Sequence, residues 1–218
     1  MTAGPDLALV YDADKSPLAE SDHRIANSLA MIAALVRIQA AAVGRGQQLS
    51  PQDAQSQLEE AAARIETVAQ SHRLLANAGL GGALEPSIFI RDICDMAARA
   101  FDSDGRVSLS YEFEESPVLS ASRMTTLGLI VNEAMVNALK YAHPAGVNGF
   151  INVACRPIYG DSLIVTVEDD GVGLPPHVDH NGGGLGLRIM HSLAEELGGS
   201  LSFRSSPLGL TVQVVVPV

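Results

Sequence analysis

IVNEAMVNALKYAH, residues 130–143, is the stretch on which the reading of this chain turns. It has the composition of a helix, and Glu133 and Asn137, four residues apart, share one face of it. On that pattern Asn132, Glu133, Asn137 and Lys140 can line a polar pocket while Ile130, Val131, Ala134 and Ala138 pack inward. Polar residues on a helix are by themselves no more than a solvated face, and two further patches give these their weight. In VEDDGVG, residues 167–173, a strand ends in carboxylates followed by Gly171 and Gly173, which let a backbone approach a ligand closely. An ionised aspartate at a strand end accepts a hydrogen bond from an exocyclic amine such as that of adenine. In GGGLGLR, residues 182–188, a flexible loop runs into a helix whose free N–H groups and positive dipole end suit phosphates. Each glycine patch alone reads as a turn; in this order and spacing the three read as one site.

The surrounding segment, about residues 83–218, alternates both hydrophobic periods. Residues 88–101, 123–142 and 186–197 read as helices, and residues 107–113, 150–156, 163–168, 200–203 and 210–216 as strands. The fold class expected is α+β, an α/β sandwich with helices on one face of a mixed sheet.

Upstream the composition changes. No aromatic residue occurs from 12 to 88, and only Gly4, Gly44 and Gly46 precede residue 79, whereas 17 glycines follow. Such an Ala-, Gln- and Leu-rich segment favours helix but buries little area per residue. It divides at GRGQQLSP into two helices. The first, about residues 18–43, sets Ile25, Leu29, Ile32 and Val36 on a heptad seam. The second opens with Ser50 as cap, Pro51 in the first helical position and Asp53 in the first turn. Its seam is Leu58, Ala61 or Ala62, Ile65, Val68, His72 and Leu75, and Gly79 reads as its stop. A hairpin with one apolar stripe per helix needs a second copy, so a dimeric four-helix bundle is expected. Residues 1–17 form a leader, 18–79 the helical hairpin and 83–218 the sandwich, with Leu80-Gly81-Gly82 as hinge.

Lys+Arg 14 against Asp+Glu 25, a net charge of -11, opposes binding to a phosphate backbone, so nucleic acid is not an expected partner. At 47% apolar and 18% charged residues the chain is expected to fold. The start lacks a basic region, and no run of about 18 apolar residues occurs, so neither a signal peptide nor membrane insertion is expected. The reading is a cytoplasmic protein. Cys94 and Cys155 lie in apolar surroundings without metal-ligand spacing and read as buried, reduced thiols.

In these three patches the sequence resembles the histidine kinases of two-component signalling, within the ATPase superfamily that also holds gyrase and MutL. Residues 132–143 resemble the N box, 169–173 the G1 box and 182–187 the G2 box. The resemblance implies a Bergerat-type ATP-binding domain with ATP and Mg²⁺ as cofactors. By it Asn137 holds Mg²⁺, Lys140 contacts phosphate, Asp169 binds the adenine amine, and Gly171 and Gly173 shape its pocket. Asn132, Tyr141, Gly182, Gly184, Leu185, Gly186 and Leu187 complete the nucleotide contacts. Glu133 matches the superfamily's general base, or serves only Mg²⁺ or water positioning. Residues 21–28, SDHRIANS, resemble the H box that carries the phospho-accepting histidine, here His23.

With Ile25 at the centre of the bundle stripe, the helical step of about 100° places His23 about 160° away, on the outer face. Asp22 either orients the imidazole and takes its proton or is a first-turn helix acid. Asn27 either positions water for dephosphorylating a partner's aspartyl phosphate or is a plain surface amide. Ala30 and Ala34 leave a flat strip beside His23 for another protein. His72 on the second seam reads as structural, and His177 and His180 as part of a nucleotide lid. Several features depart from the family pattern. The loop from Gly173 to Gly182 lacks an F box, as in the short-lid subfamily related to the HWE kinases. The chain has no tryptophan, Ala26 and Ser28 stand where polar residues are usual, and Asp170 where asparagine is common.

The function implied is autophosphorylation of His23 from ATP, then transfer to an aspartate on a response-regulator receiver domain. The partners implied are that regulator and a second copy through the hairpin, and any signal is expected from a separate sensor protein or from the leader, residues 1–17. The competing readings are a non-catalytic phosphotransfer or docking protein with a degenerate nucleotide site, and a serine kinase of the anti-sigma type. His23 in its hairpin opposes the latter.

Overall fold

Glu85 leads into helix α1 (Pro86–Phe101) in extended conformation, and Pro86 fits the start because its ring presets the helical φ and its missing N–H would have had no partner. At the other end the Asp102 carboxylate accepts the amides of Arg106 (3.0 Å) and Val107 (2.9 Å), turning the chain into strand β1 (Val107–Phe113). Helix α2 (Ala121–Asn137) begins at Ser120, whose hydroxyl accepts the Arg123 amide, and runs on as a π turn over Ala138–Ala142. Strands β2 (Gly149–Ile158) and β3 (Ser162–Asp169), helix α3 (Leu185–Glu196) and strands β4 (Ser200–Ser206) and β5 (Gly209–Pro217) complete the order. The computed structural model describes residues 85–102, 104–144, 147–158, 161–174 and 185–218, together with single positions and short runs between 33 and 73.

The sheet order is β1-β2-β3-β5-β4, with β1 parallel to β2 and the other pairs antiparallel. Alternation along the strands sends Ile151, Val153 and Cys155, Leu163, Val165 and Val167, and Val212, Val214 and Val216 to one face. There they form one core with Phe89, Ile93, Leu127 and Met190 of the helices. Helix α2 lies between α1 and α3. Its Gly128 lets it close on α1, because a Cβ there would lie 2.6 Å from the Phe89 ring. Across the opposite sheet face Asn152, Thr166 and Gln213 are half-buried while Arg156 and Glu168 are exposed.

The expected α+β class, its five strands and its three helices are all present. The expected helix over 123–142 is in fact an α-helix that widens to a π turn for its last residues. That wider turn carries the Ala142 carbonyl to the Val172 amide, 2.9 Å away, instead of continuing the helical ladder. Cys94 and Cys155 are free and buried; burial raises both thiols, Cys155 to about 11. Among the described residues no helix is long and apolar enough to cross a membrane. The described positions between 52 and 73 are helical, as the second expected helix requires. Two members of its seam, Leu58 (72%) and Ile65 (39%), are exposed in the single chain. The leader, the hinge at residues 80–82 and the pairing of the hairpin with a second copy lie outside the described residues.

Candidate functional site

Asp169 is the last residue of β3, and strand alternation turns its side chain inward, to 7% exposure. Its Oδ1 accepts the amides of Gly171 (3.0 Å) and Leu210 (3.2 Å). Burial raises this carboxyl above its ordinary range, and the two amides and His143 only partly offset that. Among the described residues both bonds fall on Oδ1 and none on Oδ2.

Three close approaches build the wall around it. A Cβ on Gly171 would lie 2.2 Å from the Ala142 carbonyl, one on Gly173 2.3 Å from the Ser206 carbonyl, and one on Gly209 1.9 Å from the Asp169 carbonyl. Gly173 and Gly209 also take φ of +68° and +135°, which a side chain would strain. The turn after β3 is thereby wedged between the end of the π turn and the β4–β5 hairpin. Ser205 adds a further tie, its hydroxyl accepting the Leu174 amide at 2.7 Å.

The second half of the site stands on α2. Glu133 is buried (3% exposed) and Asn137 half-buried. Gly186, in the first turn of α3, faces both: a Cβ there would lie 3.1 Å from Glu133 Oε2 and 3.5 Å from Asn137 Nδ2. A carboxylate and a side-chain amide thus meet the first turn of α3, and the amides and positive dipole end of a helix start attract anions. Hard oxygen donors of this kind suit Mg²⁺, which binds through one or two protein groups plus a ligand's phosphates. Among the described residues no cluster of three His, Cys, Asp or Glu could hold a metal by itself.

Asn132 is 1% exposed, and neither its Oδ1 nor its Nδ2 has a partner among the described residues. Lys140 lies on the π turn with Nζ 5.8 Å from the Phe101 ring centroid and 5.6 Å from that of Tyr141, which is 60% exposed. Leu185 opens α3, and Leu187 is a core residue. Asp22, His23, Asn27, His72, His177, His180, Gly182 and Gly184 lie outside the described residues.

Beside the site, His143 Nε2 sits 2.7 Å from Asp170 Oδ1, and the same oxygen accepts the Phe150 amide at 2.8 Å. The Phe150 amide first, and His143 after it, hold the Asp170 carboxyl below its ordinary range. This pair, the Leu210 amide, the Ala142 carbonyl and Gly209 are absent from the sequence reading. Backbone donors carry no sequence signature, and Ser206-Pro-Leu-Gly209 reads as a hairpin turn whatever it touches.

Residues 20–101 match the family model described as histidine kinase, and residues 123–218 match that described as histidine kinase-, DNA gyrase B-, and HSP90-like ATPase. The chain is 32% identical to blue-light-activated histidine kinase 2 of Erythrobacter litoralis over 98% of its own length and 60% of the relative's. It is 28% identical to the sensor histidine kinase PdtaS of Mycobacterium tuberculosis over 91% of its own length and 39% of the relative's. The chain therefore spans about three fifths of the first relative's length and about two fifths of the second's. Among solved structures, the histidine kinase domain of the Erythrobacter litoralis blue-light activated kinase superposes with a TM-score of 0.71. Identity there is 28%, over 92% of this chain and 90% of that one.

Proposed function

From these matches we propose that the chain is a histidine kinase, an ATP-dependent enzyme that phosphorylates its own His23 and passes the phosphoryl to an aspartate of a response-regulator receiver domain. The observation that carries this reading is the joining of two half-sites: the Asp169 turn is wedged onto the end of the same helix whose Glu133 and Asn137 face the start of α3. Asp169 Oδ2 accepts the adenine amine, Gly171 and Gly173 let the base lie against backbone, and the first turn of α3 receives the phosphates. Asn137, with Glu133 beside it, would hold Mg²⁺, and the ion's charge would offset that of the phosphates. Lys140 adds the one ammonium near them. Catalysis then rests on placement: the sandwich delivers the γ-phosphorus to an outward-facing imidazole on the paired hairpin, and Asp22 takes its proton.

Incubation with γ-labelled ATP tests this. The expected label is acid-labile and absent from His23→Gln. Label that persists in that variant removes the site assignment, acid-stable label supports the serine-kinase reading, and failure to bind Mg·ATP supports the docking reading. The response regulator, the homodimer, the separate sensor and a cytoplasmic location are parts of the same proposal.

A further inference from the structure

We propose that His143 and Asp170 form a clasp that positions the Asp169 carboxylate and so sets nucleotide affinity, an inference that rests on the nucleotide site proposed above. His143 is the first residue beyond the π turn, in extended conformation (φ -121°, ψ 138°), and Asp170 the first beyond β3. Two bonds join these points: the Val172 amide to the Ala142 carbonyl, and His143 Nε2 to Asp170 Oδ1. Asp170 is held from a third side by the Phe150 amide, so its carboxylate ties the start of β2, the end of the π turn and the turn after β3 into one knot. With Asp170 ionised, Nε2 is the nitrogen that donates.

The ring is packed. Its side chain is 10% exposed against 56% for Asp170, and it lies flat over Gly149, where a Cβ would come within 2.3 Å of Cε1. Consecutive residues are thus fixed in opposite directions: Asp169 inward on the Gly171 and Leu210 amides, Asp170 outward on His143 and Phe150. A turn held on both sides cannot rotate Asp169 Oδ2 away from a base. One side released leaves that orientation to the Gly171 and Leu210 bonds alone. His143 acts on this turn through its bond to Asp170 and is in that sense a positioning residue.

The test uses the full chain with His143→Ala, Asp170→Ala, the double variant and Asp170→Asn. Each single alanine variant is expected to raise the Mg·ATP Kd and the KM for ATP about tenfold, the scale of one hydrogen bond to a charged group. The kcat at saturating ATP stays within about twofold, because ground-state placement is what is lost. The double variant loses no more than either single one, as expected of two residues acting as a unit. Asp170→Asn keeps an oxygen that accepts both bonds and retains affinity. In nucleotide-free protein, amide exchange at Gly171 and Leu210 is expected to quicken in His143→Ala. Unchanged Kd and KM, or losses that add in the double variant, overturn the proposal. Should the parent chain bind no Mg·ATP, the nucleotide reading falls by itself, and the exchange data still decide the clasp: unchanged exchange overturns it.

Discussion

At Asp169 stability and ligand binding make opposite demands. Its folded pKa lies above the ordinary 3.8, chiefly because burial penalises the charge. A raised carboxyl binds more protons folded than unfolded, so this residue's contribution to stability declines as pH rises from about 3.8 through the raised value. Asp170, held low by the Phe150 amide and His143, has the opposite sign: its contribution is present above the unfolded value and lost as pH falls through the lowered one. A ligand amine needs Asp169 ionised. Nucleotide affinity is therefore expected to fall on acidification at a pH where a free aspartate is still charged. A Kd titration by calorimetry reads this, and a profile that stays flat down to 3.8 would contradict it. Asp169→Asn keeps the acceptor for both amides and removes the buried charge. It is expected to lose at least about tenfold in affinity, with a thermal midpoint equal to or above the parent's. The sequence singles out Asp169 through its glycine-flanked strand end, but its pairing with Leu210 joins residues 41 apart and has no local sign.

At the scale of elements, the β4–β5 hairpin is as much a wall of the site as a part of the sheet. Gly209 has no room for a side chain, since its Cβ would lie 1.9 Å from the Asp169 carbonyl, a backbone atom that cannot swing aside. Gly209→Ala is expected to lower the unfolding free energy by about 3 kcal/mol, combining a strained φ with a forced backbone shift. Gly105→Ala, at φ +64° in open space, should cost only about 1 kcal/mol. Urea unfolding of the two variants checks the difference, and equal losses would show that φ alone decides it. Strand positions were legible from period-two alternation, as at Val107–Phe113, whose bounds agree with the reading. Strand ends were less so: β4 runs to Ser206, past the last apolar residue Phe203, because pairing with β5 and not burial extends it. The π turn was not legible at all, since Ala138–Ala142 suits an ordinary helix and its tie to Val172 joins residues 30 apart.

For the whole molecule the question is where the sandwich begins. The matched histidine-kinase segment runs to residue 101, yet Phe89, Ile90, Ile93 and Cys94 of α1 lie in the same core as the sheet, each at most 1% exposed. On the proposed boundary, a fragment of residues 83–218 is expected to fold cooperatively, whereas residues 102–218 alone should not. Removing α1 strips several large core side chains, and a buried Phe or Ile alone is worth about 2–5 kcal/mol. Circular dichroism melts of the two fragments check this, and a cooperative melt of the shorter one would move the boundary past α1.

The sequence by itself determined the class of the fold, the sites of its strands and helices and the three patches of chemistry, because periodicity, glycine and charge act over a few neighbouring residues. The tertiary structure alone decided that Gly209 and Leu210 meet Asp169, that Gly186 faces Glu133 and Asn137, and that His143 grips Asp170. Those contacts join residues brought together by the packing of α2, α3 and the β4–β5 hairpin around the turn after β3. The close approach of backbone to backbone that makes them leaves no mark in residue type beyond a glycine that could as well be a turn.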